Sequence, residues 1–91
     1  VGLNPTPNGN SAKHRRKQMT FGEKAVGLSF NPSGDDTVSK IKSLYAQIID
    51  IAHDARNNPV ASSEQKRLHS IAITEAQGAQ MWAVKAATWQ E

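Results

Sequence analysis

The stretch from Ser63 to Thr88 constrains this chain more than any other, because its apolar residues recur at helical spacing on several sides at once. Ala72, Ala76, Ala79, Ala83 and Ala86 form one stripe with a 4-3-4-3 rhythm. Leu68, Ile71, Gly78, Trp82 and Trp89 form a second, and Ile73, Met81 and Val84 a third. A helix that is hydrophobic nearly all round has to be buried nearly all round. At 1.5 Å per residue this one is about 40 Å long, and its alanine stripe lets another helix backbone come close.

The partner within the chain is the segment ahead of it. Val38, Ile41, Tyr45, Ile48, Ala52 and Ala55 follow a 3-4-3-4-3 spacing, with Leu44, Ile49 and Ile51 widening the stripe. This predicts a helix of about five turns, capped by Asp35 or Asp36 and ended by "RNNP" at 56–59. There the asparagines suit a left-handed C-terminal residue, and Pro59 cannot continue the ladder. Ser62 and Gln65 then make a capping box for the second helix. The expected fold is all-α: an antiparallel helical hairpin that assembles into an obligate homo-oligomer with the second helix at its centre. A monomer would leave a large apolar patch exposed, Trp82 and Trp89 included.

At 91 residues there is room for one domain. No cysteine is present, so no disulfide can staple it, which fits a reducing cytosol. No apolar run reaches the ~18–20 residues that cross a bilayer, and no membrane association is expected. The net charge of +3 is uneven: residues 1–29 carry +4 and residues 30–91 carry −1. The basicity belongs to the tail, "KHRRK" at 13–17, which leaves no domain-wide basic face for nucleic acid; the run can touch DNA only as an unstructured arm. Residues 1–18, rich in Pro, Asn and Gly, are read as a flexible basic tail, with Met19 as the candidate start of the compact part, 19–91. The segment "MTFGEKAVGLSF" is read as an irregular arm: Phe21, Val26, Leu28 and Phe30 alternate toward its end, and Gly22 and Gly27 argue against a long helix.

For catalysis the chain offers little. His14, His53 and His69 fall in different elements, and no metal-binding or nucleophile motif is present, so neither an enzyme nor a cofactor is expected. Asp50 and Asp54 share a helix face and read best as a solvated acidic edge. Anion binding is better supported. Gly27, Asn31, Ser33 and Gly34 surround a loop that feeds a helix N-terminus, where free amides favour phosphate. Asp35 and Asp36 occupy the same place, so the loop is either a phosphate seat or an internally capped helix start. Phe30 can stack on a base, while Lys40 and Lys42 can reach phosphates. On the second helix Arg67 and Thr74 can offer a charge and a hydroxyl, and Lys85 lies within reach of Trp82 and Trp89, where Trp in an oligomer core with Lys85 extending outward is the plainer reading.

"FGEKAVGLSFNPSGDDTVSKIKSLYAQIID" together with "RLHSIAITEAQGAQMWAVKAATW" resembles the helical-hairpin proteins of bacteriophages that act as anti-CBASS cyclic-oligonucleotide sponges, and the related hairpin of Thoeris anti-defence sponges. The resemblance covers about residues 19–89, and "AQMWAVKAATW" and "FNPSG" with "IK" are its most specific pieces. It implies sequestration without chemistry, in the cytoplasm of the infected bacterial host, by homohexamers whose pockets lie between subunits. In a cyclic-dinucleotide pocket the stacking aromatic would be Phe30 and the phosphate-binding lysine Lys42, with Asn31 and Lys40 nearby. In a cyclic-trinucleotide pocket Arg67 and Thr74 would line a threefold junction. The match departs at Ile73, where that pattern has an arginine before the threonine. Two other readings stand beside it: a sponge for cyclic ADP-ribose isomers, and a structural helical assembly with no small ligand.

Overall fold

The computed structural model describes residues 18–91. The "KHRRK" run and His14 lie outside the described residues, as does almost all of the expected tail. Three helices follow in order: α1 (Phe21–Val26), α2 (Asp36–Arg56) and α3 (Ser63–Ala87). No strand occurs among the described residues, and none of these helices is long and apolar enough to cross a membrane. Helices α2 and α3 form the expected hairpin, and α1 packs along α2, with Gly22 against Ala46 and Asp50 and Phe21 against His53.

Helix α1 corrects the expectation of an irregular arm. Thr20 and Glu23 form a capping box: the Glu23 amide donates to Thr20 Oγ1 at 3.1 Å, and the Thr20 amide donates to Glu23 Oε1 at 2.9 Å. These reciprocal bonds satisfy two otherwise orphaned donors and start the helix. Gly22 is a point of contact rather than a breaker, since a Cβ there would lie 2.0 Å from the Ala46 carbonyl oxygen on α2. Its amide donates to Asp50 Oδ1 at 2.7 Å. Asp50 is therefore the anchor of α1, while Asp54 stays exposed beside His53. The expected acidic edge is split between two jobs.

Gly27 ends α1 in the left-handed region, at φ 63°. Its amide donates to the Lys24 carbonyl at 3.1 Å and the Leu28 amide to the Glu23 carbonyl at 3.0 Å, the paired bonds of a Schellman cap. At the start of α2 the choice between Asp35 and Asp36 resolves to Asp35, whose Oδ1 accepts from the Thr37 amide at 2.7 Å. Asp36 pairs with Lys40 instead, at 3.6 Å. The far end of α2 differs from the expected left-handed cap: Asn57 has φ −87°. Its amide makes the ordinary helical bond to the His53 carbonyl at 3.1 Å, and the Asn58 amide reaches the Ala55 carbonyl at 3.2 Å, a 3₁₀-type turn that closes the helix without positive φ. Ser62 and Gln65 form the expected capping box on α3.

The core consists of Val26, Ala46, Ile49, Ala52 and Ile73, with Ala25, Leu28, Tyr45 and Ala76 packed around it. The buried face of α2 is displaced by about one residue from the expected stripe. Ile49 is fully buried, whereas Ile48 is 53% exposed. The displacement follows from α2 having two neighbours, α1 and α3, which draw Val38, Lys42, Ala46, Ile49 and Ala52 inward. On α3 the inner face runs through Ile73, Ala76, Gln80 and Val84. Ala72, Ala79 and Ala86 face outward, as do Leu68, Ile71, Trp82 and Trp89. Within one chain, then, Leu44, Ile48 and Ile51 on α2 and the tryptophan stripe on α3 are left uncovered.

Candidate functional site

The loop between α1 and α2 is built by its own side chains. Asn31, Pro32, Ser33 and Gly34 make a turn closed by the Gly34 amide donating to the Asn31 carbonyl at 3.0 Å, with Gly34 at φ 65° as expected for that corner. The Asn31 side chain ties the turn to α2: Nδ2 donates to the Asp35 carbonyl and to Ser39 Oγ, each at 3.0 Å, while Oδ1 accepts from Ser33 Oγ at 2.9 Å. The carboxylate cap from Asp35 fills the helix start, so the internally capped reading holds. The buried cationic feature of this end lies about two turns further along α2.

Lys42 is that feature. It is 5% exposed, on the inner face of α2. Its Nζ donates to the Gly27 carbonyl at 3.0 Å and to the Phe30 carbonyl, and it lies 5.4 Å from the centroid of the Phe30 ring. No carboxylate pairs with it among the described residues. An ammonium has three donors, and two here point to backbone carbonyls fixed by the α1 cap and the loop. Burying a cation is costly unless it is well hydrogen-bonded. This one is held by dipoles alone, and its positive charge remains uncompensated.

Above it opens a cavity of about 360 Å³, lined by Phe30, Asn31, Pro32 and Ser33 from the loop, Val38 and Lys42 from α2, and Gln80, Met81, Val84 and Thr88 from the end of α3. Phe30 is 69% exposed and forms its rim. The volume sits at the lower end of the ~300–1,000 Å³ range of small-molecule sites, and the walls are mainly apolar with a few placed polar groups. The arrangement offers a stacking face, a buried cation and a carboxamide.

Of the residues singled out from sequence, Phe30, Asn31 and Lys42 come together here. Lys40 projects from the opposite side of α2 with its side chain 75% exposed. Arg67 is exposed near the start of α3 and Thr74 is exposed near its middle. The Arg67 guanidinium grips Glu64 in bidentate fashion, Nε to Oε1 at 3.0 Å and Nη2 to Oε2 at 2.6 Å. That hydrogen bonding holds the Glu64 carboxyl below its ordinary range and pushes Arg67 up from its own. Ile73 is buried in the core, which accounts for an apolar residue beside Thr74. Lys85 Nζ lies 5.7 Å from the Trp82 ring, as its spacing suggested. No group of three or more metal-ligating side chains converges among the described residues.

Gly27 was read as part of the loop, but its role, supplying a carbonyl that holds Lys42, was not, and Thr88, which closes a cavity wall, and Gln80 were missed from sequence. Neither Gly27's role nor that of Thr88 follows from spacing along one helix. Gln80 did have a signal, as a lone polar residue in the row Ile73, Ala76, Gln80, Val84.

At one end of the hairpin, then, an exposed aromatic stands beside a buried lysine that has no carboxylate partner among the described residues. The Acb2/Tad1 hairpin-domain model matches residues 23–88, and the chain belongs to that family, whose members are sequestering sponges of anti-defence type rather than enzymes. No curated relative and no solved structure matches the chain.

Proposed function

We propose that this protein is a phage anti-defence sponge that captures cyclic oligonucleotide second messengers of CBASS immunity in the cytoplasm of the infected host, without cleaving them. One observation carries the reading: Lys42 is a buried cation with no carboxylate partner, set beneath an exposed aromatic at the wall of a cavity. A phosphodiester would supply the missing negative charge, Phe30 would stack on a base, and Asn31 would hold the loop in shape. A cyclic dinucleotide has both groups at short separation. The cavity holds part of such a ligand, so the remainder would rest on a second copy.

The same reading makes the protein a homohexamer. The uncovered Leu44, Ile48 and Ile51 on α2 and Leu68, Ile71, Trp82 and Trp89 on α3 supply apolar faces for it. Arg67 and Thr74, isolated in one chain, would become a cyclic-trinucleotide site only where copies meet. Lys40, paired with Asp36 on the outer side, would act as a supporting charge. Calorimetric titration with cyclic di- and trinucleotides, followed by recovery of intact ligand on denaturation, tests the proposal. Micromolar or tighter binding with unaltered ligand is expected. Absence of binding sinks the sponge reading in favour of a structural assembly, and binding of cyclic ADP-ribose isomers alone would move the protein to the Thoeris branch.

A further inference from the structure

We propose that Gln80 reads the edge of the nucleobase held in the Phe30–Lys42 cavity and so sets which cyclic dinucleotide the protein retains; the inference rests on the cyclic-nucleotide reading above. Gln80 is 5% exposed, on the inner face of α3, and lines the cavity. Its carboxamide makes no hydrogen bond among the described residues. Buried polar side chains are almost always partnered, and the contrast with its neighbour is direct: one turn earlier, Gln77 Nε2 donates to the Ala25 carbonyl at 3.4 Å. One glutamine of α3 ties down α1. The other presents an unused donor and acceptor to an open cavity.

Asn31, Ser33 and Thr88 already bond within the fold, and Phe30 and Lys42 cannot tell bases apart. Every base has a π face for Phe30, and every nucleotide carries a phosphate for Lys42. A carboxamide offers a donor beside an acceptor, the pattern that pairs with an adjacent acceptor and donor on a base edge, as glutamine does with adenine. Val84, Met81 and Val38 flank it with apolar surface, which offers a mismatched edge no alternative partner.

The test compares wild-type protein, Gln80→Leu and Phe30→Ala for binding of cyclic di-AMP and cyclic di-GMP, with thermal stability and particle mass measured without ligand. Gln80→Leu is expected to change the ratio of the two affinities by about tenfold or more, within the range of one bidentate base contact. Its ligand-free stability should equal or exceed that of the wild type, because no internal hydrogen bond is lost. Phe30→Ala should weaken both ligands in parallel. A ratio that stays within about twofold in Gln80→Leu overturns the assignment, and so does a fall in ligand-free stability or a change in particle mass, which would place the carboxamide in an internal or intersubunit network. Wild-type protein that binds both probes with an unaltered ratio in the variant removes Gln80 alone, whereas wild-type protein that binds no cyclic nucleotide removes the sponge reading as well.

Discussion

The two ends of the hairpin treat a cation in opposite ways. Where α1, the loop and the end of α3 meet, Lys42 is buried, held by two backbone carbonyls and left without a counter-charge. Near the start of α3, Arg67 is exposed and already neutralised by Glu64 at 2.6 Å. Among the described residues, the first end holds a cation with no counter-charge and the second a cation already paired. The contrast teaches that residue type does not fix the electrostatic state of a basic group: burial and the choice of partner do. Under the proposed function the first end is prepared for an anion, and the second needs another copy beside it to become a site.

The largest test of the prepared end is Gly22→Ala. The added methyl would meet the Ala46 carbonyl oxygen at 2.0 Å and displace α1, so about 3 kcal/mol of stability should be lost, together with ligand binding. Urea unfolding measures this, and a near-wild-type midpoint would break the claim that docking of α1 places the Gly27 carbonyl against Lys42. Lys42→Met should weaken cyclic-dinucleotide binding by about a hundredfold, the scale of a charge-assisted bond to phosphate. Lys40→Met, on the exposed side of the same helix, should change it by less than about threefold. Equal losses in calorimetry would show that long-range charge, not position, governs binding.

Phe30→Ala should cost about tenfold in affinity through lost stacking. It should leave the melting temperature almost unchanged, because the ring is mostly exposed in the single chain. Gly78→Ala sharpens the contrast among glycines: nothing lies within 4 Å of an added Cβ there. A gain of about 0.5–1 kcal/mol is expected from helix propensity. A loss, accompanied by a smaller particle in light scattering, would instead place Gly78 at a close helix contact between copies. The smallest effect belongs to Glu64→Gln. Because Arg67 lowers the Glu64 carboxyl from its ordinary value, whatever the pair contributes is present above that ordinary value and disappears as pH falls through the lowered one. The pair is fully exposed, so melting curves of wild type and variant should nearly coincide at all pH values, and cyclic-dinucleotide binding should be untouched.

Much of the fold was legible along the chain. The 3-4 spacing on α2, the "SSEQ" box and the break at Pro59 locate both long helices almost to the residue, since these signals depend only on neighbours a turn away. The T-x-x-E box at Thr20–Glu23 carried the same kind of signal for α1, but the alternation of Phe21, Val26, Leu28 and Phe30 outweighed it and led to an extended reading. In the site, Phe30, Lys40 and Lys42 were legible as an aromatic and two lysines near one loop, and the resemblance to the sponge family implied Lys42 as the phosphate-binding one. Lys40 looked equivalent to Lys42, because residue type alone does not say which side of a helix a second and third element will cover.

By itself, the sequence determined where helices start and stop, that one hairpin results, and that more apolar surface exists than one hairpin can hide. Local hydrogen bonds and helical periodicity encode all of this within a few residues. Tertiary structure alone decided that Gly22 lets α1 dock against α2, that the carbonyls of Gly27 and Phe30 converge on Lys42, and that Gln80 reaches the same cavity without a partner. The bonds to Lys42 join residues 12 and 15 positions apart, and Gly22 bonds to Asp50 28 positions on. Their geometry depends on how three helices pack together, which no spacing along a single helix records.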